Sequence, residues 1–219
     1  MAVAAGAGRR RQGRGAGRLV AGNVTRQNGD VNLDHVFLCG NPALDLAATL
    51  RARRTLRFEM FVSPDRLDAW YLGSGVVDAV TPCGASDVTE AKALREAVYA
   101  LVSERLAAEP YDRGALATVN AAARRPSAAP QLTAAGRWTD ATPREALAAV
   151  ARQAVELLSG PDVPLMKECA NPECTRVFID RSRGTRRQWC GMESCGNRLK
   201  AAAYRARKRD GDPSPASPS

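Results

Sequence analysis

Two matched cysteine pairs near the C-terminus decide the reading of this chain: Cys169-Ala-Asn-Pro-Glu-Cys174 and Cys190-Gly-Met-Glu-Ser-Cys195. Each pair encloses four residues, and fifteen residues separate the pairs. The last cysteine runs on into Gly196, Asn197 and Arg198, then into a stretch dense in Lys and Arg. Thiolates are soft ligands, and four of them in two short knuckles suit a tetrahedral Zn²⁺. Four protein ligands leave no open position, so such a site contributes folding energy and does no Lewis-acid work. The competing readings are disulfides and free buried thiols, with iron as a rarer metal. No secretory signal is evident in the sequence, which favours reduced thiols and hence metal over disulfides.

Between the pairs, Arg176-Val177-Phe178-Ile179-Asp180 is β-branched and aromatic and reads as a strand. Ser182-Arg183-Gly184-Thr185 reads as a turn, and Arg186 to Cys190 as the returning strand. Phe178 and Trp189 are the expected miniature core. A unit of about 40 residues buries too little surface to fold unaided, so a metal must staple it. The final helix is expected to open at Cys195 and run to about Arg209, with Leu199, Ala203 and Ala206 on one stripe. Arg198, Arg205 and Arg209 line one flank; Lys200, Arg207 and Lys208 line the other.

Charge is concentrated in the same place. The chain of 219 residues carries a net charge of +9. Residues 31–168 hold 15 basic and 17 acidic side chains, whereas residues 169–209 hold 11 and 3. A basic, metal-stapled unit beside a near-neutral body points to a polyanion as partner. Arg181, Arg183, Arg186, Arg187, Arg198, Lys200, Arg205, Arg207, Lys208 and Arg209 are the candidate nucleic-acid contacts. Duplex DNA is the first candidate. RNA, with Trp189 and Tyr204 as stacking groups, and a protein partner are the alternatives.

Upstream, residues 31–160 read as a mostly helical domain. Pro42 suits a first helical turn, and Ser63-Pro64-Asp65 starts a helix that stops at Gly73. Asp87 to Glu90 suggests a capping box for a long helix through about Ala108, burying Ala91, Leu94, Val98, Leu101, Val102 and Leu106. Asp112–Ala123 is a shorter helix, and Gln131 to Thr139 an extended stretch able to act as a pairing partner. Thr142-Pro143-Arg144-Glu145 is a capping box for a helix to about Leu158. Residues 161–168, with Pro161 and Pro164, read as a linker. Residues 1–30, rich in Gly, Ala and Arg, and the Pro/Ser tail 210–219 are expected to be disordered. The fold class is therefore mostly α: a helical N-terminal domain with a few short strands, followed by a small four-cysteine zinc finger made of a β-hairpin and a basic helix.

No Ser/His/Asp order, phosphate loop or catalytic carboxylate pair is evident, so no enzymatic activity is expected. His35, the single histidine, reads as a domain-edge residue, and Cys39 and Cys83 as small buried hydrophobes. No apolar run approaches the ~20 residues of a membrane span, and a cytoplasmic location is expected.

The stretch Cys190 to Met192 with Cys195-Gly196-Asn197-Arg198, together with Arg186, Arg187 and Trp189, resembles the CGNR zinc finger. Gly40-Asn41-Pro42-Ala43-Leu44-Asp45-Leu46 with Thr49-Leu50, and then Leu67 to Trp70, resembles the ABATE domain that precedes such fingers. Ala47-Ala48 stand where that pattern commonly has Val-Asn. The resemblance implies a bacterial, stress-responsive transcription regulator. It implies zinc at Cys169, Cys174, Cys190 and Cys195, DNA binding by the finger, and a helical domain able to sense a small-molecule effector. A lone finger grips little surface, so a homodimer through the helical domain is also expected.

Overall fold

The computed structural model describes residues 35–210, so segment 1–30 and all but the first residue of the tail 210–219 expected to be disordered lie outside the described residues; Asp210 itself ends the last helix. In chain order the elements are α1 (Pro42–Ala47), β1 (Leu50–Arg51), β2 (Phe58–Glu59), α2 (Pro64–Ser74), β3 (Ala79–Val80), α3 (Ala85–Ala107) and α4 (Arg113–Ala123). Then follow β4 (Gln131–Thr133), β5 (Gly136–Trp138), β6 (Asp140–Ala141), α5 (Pro143–Ser159), a 3₁₀ turn (Val163–Leu165), β7 (Met166–Glu168), β8 (Val177–Ile179), a π-turn (Met192–Gly196) and α6 (Asn197–Asp210). The strands form four two-stranded sheets, three antiparallel and one, β3 with β6, parallel.

The helix starts follow from local chemistry. Asn41 caps α1, its Oδ1 accepting from Ala43 N at 2.8 Å, with Pro42 in the first turn where no N–H is required. Asp112 caps α4 through Ala115 N at 2.7 Å. At α5 the box is reciprocal: Thr142 Oγ1 accepts from Glu145 N at 3.4 Å, and Glu145 Oε2 accepts from Thr142 N at 2.8 Å. The long helix α3 starts two residues before the expected Asp87. Gly84 is the cap, and Asp87, three residues on, reaches back to Gly84 N at 2.7 Å. Leu106, expected inside, is exposed. Helix α2 runs one residue past the expected stop, to Ser74.

α1, α3, α4 and α5 pack together around Leu44, Leu46, Leu94, Val98, Leu101, Leu147, Val150 and Leu157. Beside them Phe61, Trp70 and Tyr71 form an edge-on aromatic stack, with centroids 6.1 and 5.5 Å apart. Arg95 is buried within this body and is neutralised by a bidentate pair to Glu59 at 2.6 and 2.9 Å. Arg53 pairs with Glu96 at 2.5 Å and lies 3.9 Å over the Tyr99 ring.

Two expectations about the C-terminal module are corrected. Residues 166–168, assigned to the linker, are strand β7 and form the hairpin with β8 in the register Met166↔Ile179, Lys167↔Phe178, Glu168↔Val177. Residues 186–190 are instead an irregular return held by single bonds such as Ala170 N to Gln188 O at 2.9 Å. The module also shares a core with the helices. Phe178, Ile179, Met166 and Cys190 belong to the same buried cluster as Cys39, Leu44 and Leu46. Ile179 N donates to Cys39 O at 2.9 Å, and Arg187 Nη2 to Leu38 O at 3.2 Å. Gly191 lies against Leu38, where a Cβ would stand 2.8 Å from Leu38 Cδ1, so the two segments approach closely.

Candidate metal centre

The knuckle Cys169–Cys174 hangs from the end of β7, where Cys169 N donates to Arg176 O at 2.9 Å, and closes through Cys174 N to Asn171 O at 2.8 Å. Cys190 ends the return segment, and Cys195 lies in the π-turn rather than at the start of a regular α-helix as expected. The wider turn brings Gly196 N back to Gly191 O at 3.0 Å, an oxygen that also accepts from Cys195 N at 3.0 Å. Gly196 is closely covered there: a Cβ would stand 2.7 Å from Met192 Sδ and 3.2 Å from Trp189 Cδ1, so a larger residue would have to move both side chains. Trp189 is accordingly half-buried against the turn.

These loops bring the four sulfurs within 4.8 Å of one another. Cys174 Sγ to Cys190 Sγ is 3.8 Å, and Cys190 Sγ to Cys195 Sγ is 3.6 Å. A tetrahedron of sulfurs at the usual zinc distance of about 2.3 Å has edges of about 3.8 Å, so the donor set fits a tetrahedral cation. Three of the four cysteines are buried and all six in the chain are unpaired thiols. Hydrogen bonding among the sulfurs divides the protons unequally. Cys190, accepting from its neighbours, is held far below the ordinary thiol range, and Cys195 is lowered to about 6. Cys174 and Cys169 are raised. A cation would displace the remaining protons, since metal-bound cysteine is thiolate.

Side chains other than the cysteines complete the site, two from within the knuckles and one beside them, and these were not singled out from sequence. Asn171 Nδ2 donates to Cys195 Sγ at 3.5 Å, and Ser194 Oγ lies 3.7 Å from Cys190 Sγ. Arg176 Nη1 donates to Cys190 Sγ at 3.7 Å. Buried thiolates need compensating donors, so a polar residue inside or next to a knuckle was the available signal. Beside the cluster, the buried Asp180 carboxylate accepts from Lys167 Nζ at 2.7 Å, Ser182 Oγ at 2.6 Å and Arg187 N at 2.9 Å. Burial pushes its pKa up, but these bonds outweigh burial and hold it well below the usual carboxylate range.

Nine of the ten expected nucleic-acid contacts have described side chains, and these separate into two groups. Arg187 is structural: its guanidinium lies 4.4 Å over the Phe178 ring, donates to Trp189 O at 2.8 Å, and bonds Cys190 O. Arg181 is tied to Asp162 at 2.6 Å and to Gly40 O at 3.3 Å. Arg183 and Arg186 project from the turn, and Arg198, Lys200, Arg205, Arg207 and Lys208 from α6, all exposed. The Arg209 side chain lies outside the described residues. α6 is slender and nearly bare, with Ala201 to Arg205 exposed throughout and Tyr204 62 % exposed.

A pocket of about 10 Å³, at the lower limit for one water, lies where Arg176 meets Asp45, Thr49 and Trp70. That size suits solvent rather than an organic effector. His35 is at its rim, with Nε2 2.7 Å from Arg66 O.

Residues 40–161 match the family described as "Putative stress-induced transcription regulator", ABATE, which covers more than half of the chain. The chain belongs to the ABATE family. Residues 166–208 match the CGNR zinc finger, so this ABATE protein carries a metal-binding finger whose family boundary begins at β7. No curated protein matches the ABATE chain. Among its described residues no helix is long and apolar enough to cross a membrane.

Proposed function

We propose that this protein is a DNA-binding transcription regulator whose zinc-loaded finger presents α6 to duplex DNA. The observation that carries this reading is the helix itself. Five exposed Arg and Lys side chains decorate a rod whose remaining surface is mostly alanine, and the four-cysteine cluster fixes one end of it. Small side chains let such a rod approach a phosphate backbone or enter a major groove. Arg183 and Arg186 on the adjoining turn extend the cationic surface. Zinc is the metal that best suits four thiolates in a closed tetrahedron, and its role is to hold the finger rather than to react. The protein acts by binding, in the cytoplasm and on the nucleoid when bound to DNA.

Fluorescence anisotropy of the zinc-loaded protein on duplex DNA across a salt series tests this. Neutralising about five phosphates gives a log–log slope between about −4 and −5, and Arg205→Ala with Arg207→Ala reduces it by about 2. A slope near zero would refute DNA binding. Single-stranded RNA that outcompetes duplex at equal salt would transfer the role to RNA.

A further inference from the structure

Four thiolates around a divalent cation leave a net charge of about −2 in a largely buried site. The knuckles answer this with dipoles only: Cys190 N donates to Cys169 Sγ at 3.4 Å, and the Asn171 amide to Cys195 Sγ. Among the described residues with a hydrogen bond to a cluster sulfur, Arg176 alone carries a formal charge. It is 9 % exposed, so it is not a surface cation that happens to lie near.

The surroundings of Arg176 belong to the helical domain. It lines the small pocket together with Asp45, Ala48, Thr49 and Trp70. Asp45 is buried in the first turn of α1, and its Oδ1 accepts from Leu38 N at 3.1 Å and Cys39 N at 3.0 Å. Those two residues turn their carbonyls to the finger, where Arg187 and Ile179 N meet them. One buried guanidinium thus stands between a metal-ligand sulfur and the carboxylate that shapes the finger's docking segment.

We propose that Arg176 is the outer-sphere partner of the metal centre: its N–H···S bond steadies the Cys190 thiolate, and its position beside Asp45 couples metal occupancy to the helical segment 38–45. The ligand in question is a thiophilic divalent cation. With the cation bound, the Cys190 sulfur is fixed in place and so is the guanidinium that bonds it, 3.7 Å away. Without the cation the sulfur is free to shift, Arg176 shifts with it, and the Asp45-held backbone beside it loosens. Arg176 is a positioning residue, since it touches a ligand and not the metal. The proposal requires a metal at the four cysteines but does not depend on the nucleic-acid reading.

The test uses the full chain loaded with Co²⁺, whose thiolate charge-transfer band reports on the ligand sulfurs. Arg176→Met, which keeps bulk and removes the donor, should weaken cobalt and zinc 10- to 100-fold in chelator competition, as lost outer-sphere partners typically do. The charge-transfer band should shift, and the metal-dependent protection of the Leu38 and Cys39 amides from hydrogen exchange should disappear. Arg176→Lys, retaining the charge, should recover part of the affinity. A Met variant that binds within about twofold of the parent would overturn the proposal. So would weaker binding with an unshifted band, because that marks lost packing rather than a lost donor. A parent chain that takes up no cobalt would overturn the metal reading together with this one.

Discussion

Phe178→Ala tests whether the finger and the helices form one body. The ring, carried on β8, is fully buried in the core shared with the helices, and the Arg187 guanidinium rests 4.4 Å above it. Truncating a buried phenylalanine to alanine costs about 3–5 kcal/mol, and losing a desolvated cation–π contact adds about 0.5–2 kcal/mol. The same Arg187 bonds Leu38 O, so part of the loss falls on the domain contact. A total near 5 kcal/mol is a large share of the ~5–15 kcal/mol that holds a typical domain together. For a folded region of this size it lowers the melting temperature by about 10–20 °C. The assay is a thermal ramp of the metal-loaded protein, following helix by far-UV circular dichroism and metal release by a chromogenic chelator. A shared core moves both curves down together. Metal release that shifts while the helix melt stays within about 2 °C would show that the finger folds independently, and would refute the reasoning.

Thr142→Ala removes the cap of α5 and should cost about 1 kcal/mol in urea unfolding with an unchanged m-value. Glu59 and Glu96 are buried enough to be pushed up, but Arg95 and Arg53 outweigh burial and hold both pKa values below the usual glutamate range. Their contribution is therefore complete above the unfolded pKa of about 4.3 and is lost as pH falls through the lower folded values; the stability gap between parent and Glu59→Gln should narrow from pH ~6 to pH ~3. Arg187→Ala should lower stability measurably, whereas Arg183→Ala should leave the melt unchanged and reduce the salt slope on DNA by about 1.

The features read correctly from sequence are those whose cause is local. The α5 box needs only Thr142 and Glu145, three residues apart, and the cysteine spacing alone implies a common sulfur cluster. α3 was placed two residues late because its cap is a glycine without a side chain, and the telling residue, Asp87, acts from the third helical position. β7 was invisible because Met-Lys-Glu has little strand preference, and its conformation is imposed by Val177 to Ile179 across the hairpin. The split among the arginines was likewise hidden. Arg187 and Arg183 look alike in sequence, and only the Phe178 ring and the Leu38 carbonyl turn one of them inward.

The contact of Gly40 with Arg181 joins residues 141 positions apart. Synthesis proceeds from the N-terminus at about 5–20 residues per second, so the Leu38–Gly40 segment waits roughly 7–30 s for its partner strand to be made. Throughout that interval the nascent helices present the apolar face that Phe178 and Ile179 will later cover. Completion of this fold is therefore a late event on the ribosome, and a chain that stops before β8 leaves a sticky surface for chaperones and proteases to recognise.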